Sequence, residues 1–266
     1  MEPDVLALLR DPVTHDPLEI GTELDTRGRR QEFLVNPRTG QRFIIREGIP
    51  VFLRDAQVSG ENKRYQAMYD RLAPFYDFST WVYSRWKGVS VEARLREYLD
   101  ELEVRAGDSV LEVSVGTGRN LRFLPHTARY FGLDISWGML ARSRRHAAKW
   151  KLDLTLFMGM AECLPFRDES FDVVFHFGGI NFFNDRAAAI YEMVRVAKPG
   201  TKFVIGDETE EFAQKHQNVA VAGSFYGNRT QAISAPVDLL PAGMKEVRVR
   251  EIAGGDLYCL SFRKPH

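Results

Sequence analysis

The stretch VLEVSVGTGRNL, residues Val110–Leu121, decides the fold of this chain. It joins a short apolar run to a turn that contains Gly116 and Gly118, which is the pattern of a buried strand followed by a glycine turn and then a helix. In an open α/β sheet, the ligand site opens where such a turn follows the first strand. The stretch therefore predicts a ligand-binding α/β domain and leaves open which ligand the turn holds.

Beyond this stretch, strands and helices alternate along the chain. Apolar runs typical of buried strands are YFGLDI, LTLFMG, FDVVFHF and KFVIGDE, and helical patterns separate most of them. The C-terminal runs KEVRVREI and DLYCLSFRK are separated by AGG, which indicates a hairpin. We therefore predict an α/β fold with a mostly parallel seven-stranded sheet, helices on both faces and a C-terminal antiparallel hairpin.

Three kinds of ligand compete for the glycine turn. A phosphate-binding P-loop ends in Gly-Lys-Ser/Thr, and GTGRN lacks this ending. The dinucleotide fingerprint fits only in part, because Leu121 stands where its third glycine belongs. Glu112 lies inside the preceding strand, where a carboxylate suits a positive amino group and would repel a pyrophosphate. Asp134 closes the next strand and could hold a ribose in either a dinucleotide or a nucleoside site.

Five linked motifs break this tie: YDRLAPFYD, VLEVSVGTGRNL, GLDIS, AECLPFRDESFDVV and EMVRVAKPG, in this order over residues 65 to about 207. With them the chain resembles the class I S-adenosylmethionine-dependent methyltransferases, most closely the branch of the ubiquinone and menaquinone biosynthesis C-methyltransferases. The resemblance implies a Rossmann-like fold and S-adenosyl-L-methionine as cofactor. It does not fix the acceptor, since one fold serves many substrates.

The resemblance also implies which residues bind the cofactor. Glu112 and the turn would hold the methionyl part, Asp134 would accept both ribose hydroxyls, and the remaining residues would border the adenine or lie beneath the methionyl group. The implied set is Glu112, Ser114, Val115, Gly116, Gly118, Asp134, Ile135, Ala161, Glu162 and Phe177.

Two residues depart from the family pattern. Ser114 replaces the glycine that is usual at the first position of the turn. Met160 stands where the family carries Asp or Asn, which binds the adenine amino group. Cofactor binding is then either weakened, or this role passes to Glu162.

The sequence does not name a catalytic base. Methyl transfer from a sulfonium depends on positioning and on exclusion of water, and a base is needed only if the acceptor loses a proton. The candidates at or after the ends of the fourth and fifth strands are Asn181, Asp207 with its neighbour Glu208, and His216. His176 is predicted to be a core histidine, because alternation points it away from the cofactor.

Residues 1–55 form a separate β-rich module in the sequence, and residues 61–266 form the methyltransferase domain. The module resembles the zinc-ribbon-like activator subunits of tRNA and translation-factor methyltransferases. Asp11, Thr14 and Asn36 stand at the places of metal-binding cysteines, and the lone His15 cannot hold zinc, which takes about four ligands. We therefore predict a module that has kept its fold and lost its metal.

The region 61–104 is helical and rich in aromatic residues, and is predicted to cover the site. Pro74 lies inside this pattern, so we expect it to divide the region into two or more helices.

Composition excludes several classes of protein. Lys+Arg and Asp+Glu both total 36, so there is no strong nucleic-acid signal. No apolar run is long enough for a membrane span, and two distant cysteines indicate a reducing, cytoplasmic setting.

The sequence thus predicts an S-adenosylmethionine-dependent methyltransferase for a small-molecule acceptor, such as an aromatic or prenylated one. One alternative is an RNA or protein methyltransferase that uses the N-terminal module to bind its substrate. Another is a non-catalytic scaffold that kept the fold. The sequence does not fix the oligomeric state, and formation of a homodimer is one of the roles that it leaves open for the module.

Overall fold

The N-terminal part of the chain is a small antiparallel sheet preceded by one short helix. A computed structural model describes residues 1–24, 28–53, 58–87, 91–217 and 232–266. The helix and strands are α1 (Pro3–Leu8), β1 (Glu19–Leu24), β2 (Arg30–Val35), β3 (Arg42–Arg46) and β4 (Ile49–Pro50). The four strands pair in sequence order, which confirms the predicted β-rich character of this module.

Two helices follow, α2 (Gly60–Lys87) and α3 (Val91–Leu99), and the predicted break at Pro74 is wrong. A proline removes one helical hydrogen bond, but here residues outside the helix form hydrogen bonds with the turn that precedes Pro74. Asp70 accepts hydrogen bonds from the Ser136 hydroxyl at 2.6 Å and the Gly138 amide at 2.9 Å. These contacts keep α2 continuous. Within the described ranges, no helix has both the length and the apolar character to cross a membrane.

The larger sheet and its helices are formed by β5 (Ser109–Val113), β6 (Arg129–Asp134), α4 (Trp137–Trp150), β7 (Leu154–Met158), β8 (Phe171–Phe177), α5 (Arg186–Val196), β9 (Ala197–Glu208), α6 (Glu210–His216), β10 (Lys245–Ile252) and β11 (Leu257–Arg263). The seven strands lie in the order β10-β11-β9-β8-β5-β6-β7, and all neighbours are parallel except the two pairs made by β11. This confirms the predicted Rossmann-like sheet with its C-terminal hairpin.

The helix expected after the glycine turn is absent. In its place the chain makes a single 3-10 turn, Asn120–Phe123. Pro125 follows two residues later and bars a longer helix, because it lacks an N–H donor and restricts the residue before it.

The N-terminal module and the large sheet share one hydrophobic core. Leu9, Leu34 and Phe52 belong to the same buried cluster as sheet residues such as Phe157. The Phe52 amide donates to the carbonyl of Met158, at the end of the edge strand β7, at 2.7 Å. The module therefore covers the edge of the large sheet that the hairpin does not.

Candidate cofactor and active site

A cavity of about 280 Å³ opens at the carboxyl ends of the parallel strands, with α2 as one wall. It brings together eight of the ten residues predicted to bind the cofactor: Ser114, Val115, Gly116, Asp134, Ile135, Ala161, Glu162 and Phe177. Glu112 and Gly118 lie behind this lining. The cofactor roles of all ten residues remain predictions.

The glycine turn has three residues with positive φ: Ser114 at 60°, Gly116 at 53° and Gly118 at 73°. A side chain at position 118 would place its Cβ 2.7 Å from the Ser143 hydroxyl, so only glycine fits there. Gly118 thus lets the turn pack on α4. Ser114 holds a left-handed conformation that costs an L-residue about 1–2 kcal/mol, a strain that a glycine would avoid.

Asp134 is a buried carboxylate in the cavity lining. It is 7% exposed, and its two carboxylate oxygens accept hydrogen bonds from the Gly116 and Ser136 amides, each at 2.8 Å. The pKa of Asp134 rises to about 6, mainly because burial disfavours the charged form. Each carboxylate oxygen can accept a second hydrogen bond, which suits the two hydroxyls of a ribose.

We expect cofactor binding to weaken as the pH falls through about 6, because hydroxyl donors favour the ionised form of Asp134. Below that pKa, the affinity for S-adenosylhomocysteine should fall by about tenfold per pH unit, with uptake of a proton on release. Calorimetric titrations between pH 5 and pH 8 measure this. Asp134→Asn should remove this dependence, and an unchanged pH profile in that variant would contradict the assignment.

Glu112 is fully buried behind the turn, and burial raises its pKa well above the usual value. Its Oε1 accepts a hydrogen bond from Asn120, whose own oxygen accepts one from the Tyr98 hydroxyl at 2.6 Å. Its Oε2 is buried and makes no hydrogen bond with the described part of the chain. A buried carboxyl oxygen of this kind fits a positively charged amino group, as the cofactor's methionyl end would supply.

The predicted catalytic candidates divide at the cavity: Glu208 belongs to its described lining, and Asn181, Asp207 and His216 do not. Asp207 is fully buried and accepts hydrogen bonds from Asn181, through its amide at 3.2 Å and its side chain at 2.9 Å. Neither residue lines the cavity. Glu208 does, because successive side chains of β9 point to opposite sides of the strand. Asp207 therefore positions the loop after β8, and the carboxylate that faces the cavity is its neighbour.

Neither His176 nor the candidate His216 belongs to the described lining of the cavity. His176 is fully buried, and its Nδ1 donates to the Val113 carbonyl at 2.9 Å, as a core histidine would. Burial lowers the pKa of His176. His216 ends α6, where its Nδ1 lies 2.8 Å from the Phe212 carbonyl and its ring stacks on Phe212.

The start of α2 contributes to the cavity lining, and Asn62 was not among the predicted site residues. Asn62, Tyr65 and Tyr69 line the cavity from this helix, and the Tyr65 ring stacks on Phe182 with centroids 4.3 Å apart. The spacing i, i+3, i+7 places all three on one helix face. That spacing was the available signal for Asn62, but nothing in the sequence showed which face the cavity would occupy.

In the N-terminal module, the three residues at the cysteine positions meet in a hydrogen-bonded cluster. The side-chain nitrogen of the buried Asn36 donates to the Asp11 carboxylate at 2.9 Å and to the Thr14 hydroxyl at 3.0 Å. Among the described residues, no group of three or more His, Cys, Asp or Glu is arranged to hold a metal ion. These donors do not fit a structural zinc, which requires thiolate or imidazole ligands.

A Rossmann-like sheet with a glycine turn and a buried carboxylate at the end of the next strand is typical of domains that bind a nucleoside. Residues 111–205 match the family model described as "Methyltransferase domain". This segment is therefore similar to class I S-adenosylmethionine-dependent methyltransferase domains near the branch of the quinone C-methyltransferases, and the similarity implies S-adenosyl-L-methionine as cofactor.

Two curated relatives belong to this branch. A demethylmenaquinone methyltransferase of Renibacterium salmoninarum is 34% identical over 147 residues, which are 53% of this chain and 57% of that protein. The ubiquinone/menaquinone biosynthesis C-methyltransferase UbiE of Geobacter sulfurreducens is 31% identical over 160 residues, 56% of this chain and 59% of that protein. The chain thus spans less than two thirds of their length.

One solved structure supports the fold alone. It is a chain of the complex between the Haloferax volcanii Trm112 methyltransferase activator and the putative methyltransferase. It superposes with a TM-score of 0.61 at 21% identity, over 74% of this chain and 98% of that chain.

Proposed function

We propose that the protein transfers a methyl group from S-adenosyl-L-methionine to a small aromatic acceptor, of the hydroxylated, quinol-like kind. This proposal rests on one continuous cavity whose two ends have different linings. One end holds Asp134 and the glycine turn, and the other is lined by aromatic rings and by Glu208. Similarity to the quinone methyltransferases supports the acceptor class.

The cofactor supplies an electrophilic methyl group when bound. The chain's own residues orient the two partners and exclude water. The ring of Phe177, which belongs to the cavity lining, stacks on the ring of Tyr98 with centroids 3.8 Å apart. This contact holds the Phe177 side chain in one position. Tyr65 has its pKa raised to about 12 by burial, so its hydroxyl stays protonated and can donate to an acceptor oxygen. The rings that line this end suit a flat acceptor.

We propose that Glu208 takes the proton that the acceptor loses. Of the acidic residues in the described cavity lining, Asp134 and Glu162 lie at the nucleoside end, and Glu208 lies at the end of β9. A carboxylate there can accept the proton of a phenolic hydroxyl or of the methylated carbon.

Glu208→Gln should lower kcat for methyl transfer by about 100-fold or more, because it removes the proton acceptor and keeps the shape of the side chain. The assay uses isotope-labelled cofactor and a reduced naphthoquinone with a short prenyl chain. Affinity for S-adenosylhomocysteine should change little. Glu211→Gln, at an exposed residue that pairs with Lys215, is the matched control. Full activity of Glu208→Gln would refute the assignment of this residue.

We propose that the N-terminal module supports the methyltransferase domain from within the same chain. It covers the edge strand β7 and contributes to the common core, as described above. The presence of an activator protein in the related Haloferax complex supports this role. We also propose a cytoplasmic location, which the two unpaired cysteines, Cys163 and Cys259, support.

A further inference from the structure

One wall of the cavity beyond Asp134 is apolar and ends at two polar side chains. The wall is formed by Ile135, Met160 and Ala161, and the polar pair is Asn62 and Glu162. By analogy with ribose-binding acids at this point of α/β sheets, Asp134 fixes the sugar, so the base of a nucleoside enters this part of the cavity. Apolar walls suit the faces of a purine, and the polar pair meets its edge.

An adenine amino group needs an oxygen acceptor at that edge. The Met160 thioether is a weak acceptor, and its sulfur lies 3.8 Å from the Asn62 side-chain nitrogen. Among the side chains of this part of the lining, the strong acceptors are therefore the oxygens of Asn62 and Glu162. Asn62 is 6% exposed, so an unmatched polar edge of the base beside it would be costly.

The orientation of the Asn62 carboxamide is fixed by its neighbours. Its nitrogen donates to Glu162 Oε1 at 2.9 Å, and a carboxylate can only accept. Its oxygen accepts the Asn184 amide at 3.3 Å, which Glu162 Oε1 also accepts at 3.1 Å, and keeps a second acceptor position. In return, the Asn62 amide donates to the Asn184 side-chain oxygen at 3.3 Å. This reciprocal pair seats the first turn of α2 on the loop before α5.

We propose that Asn62, carried by the covering helix α2, recognises the adenine amino group together with Glu162. The inference rests on the proposed function, because it concerns the same cofactor. Cofactor recognition would then depend on the position of α2 over the cavity. The same helix also contacts the apolar wall, where Gln66 donates to the Ile135 carbonyl at 3.0 Å. Asn62 is thus a binding residue of the cofactor site that lies outside the sheet.

The test compares S-adenosylhomocysteine with S-inosylhomocysteine, in which an oxygen replaces the amino group. Calorimetry on the full chain should show that the wild type prefers the adenosyl ligand by at least about tenfold. Asn62→Ala should lose most of this preference, with little change for the inosyl ligand. The matched control is Glu61→Ala, at an exposed residue of the same helix turn that pairs with Arg64, and it should keep the preference.

A second variant separates lost recognition from damage to the fold. Met160→Asn, added to Asn62→Ala, places a carboxamide on the adjacent wall and should restore part of the preference. Equal weakening of both ligands by Asn62→Ala, or no weakening, overturns the inference and leaves the proposed function intact. If the folded wild type binds neither ligand, the proposed function itself fails, and the inference with it.

Discussion

Asp134→Ala is expected to reduce the affinity for S-adenosylhomocysteine by about 100-fold or more. The substitution removes the proposed ribose acceptor, and charge-assisted hydrogen bonds of this kind contribute about 1.5–3 kcal/mol each. It also releases the Gly116 and Ser136 amides, which hold the turn and the start of α4 in place. Titration calorimetry at pH 7.5 measures the loss.

Asp153→Ala is the matched control for this variant. Its carboxylate is 66% exposed and lies 3.9 Å from Arg129, just before β7 and outside the cavity lining. We expect wild-type affinity in the control and an unchanged unfolding transition. An Asp134→Ala protein that is folded and binds the ligand with wild-type affinity would remove the ribose-binding role from Asp134.

Asn36→Ala is expected to destabilise the protein by about 3 kcal/mol. The amide group of Asn36 satisfies the buried Asp11 carboxylate, and its oxygen accepts the Arg38 and Thr39 amides at 2.9 and 3.2 Å. Truncation leaves these groups without their partner, at about 1–3 kcal/mol for each one that stays buried. Because the module shares its core with the large sheet, the loss should appear in the main unfolding transition, measured by denaturant titration.

Two controls test whether this cluster replaces a metal. Arg38→Ala removes an exposed ion pair with Asp16 and should cost less than about 1 kcal/mol. Addition of a strong chelator should leave the midpoint of unfolding unchanged in the wild type. A midpoint that falls with chelator, or an Asn36→Ala protein as stable as the wild type, would contradict this account of the module.

The strands and the glycine turn were predictable because their signals are local. A short apolar run followed by glycines predicts a strand and a turn without reference to the rest of the chain. The position of Asp134 at the edge of the sheet follows in the same way, because it is the last residue of the next strand. The helix after the turn failed because Pro125 stops it, a local signal that outweighs the usual strand–turn–helix pattern.

Other features depend on contacts between distant parts of the chain. The continuity of α2 through Pro74 depends on Asp70 reaching the start of α4. The choice between Asp207 and Glu208 depends on which side of β9 faces the cavity, and a two-residue period alone does not say. The place of Asn62 depends on Asn184, which lies 122 residues away in the sequence.

The measurement that tests the central claim most directly is a titration of the full chain with S-adenosyl-L-methionine, alongside a titration with NADH. We expect one cofactor bound per chain with micromolar affinity, and no binding of NADH, because the turn lacks the third glycine of the dinucleotide fingerprint. No binding of S-adenosyl-L-methionine by a protein with a cooperative unfolding transition, or tighter binding of NADH, would contradict it.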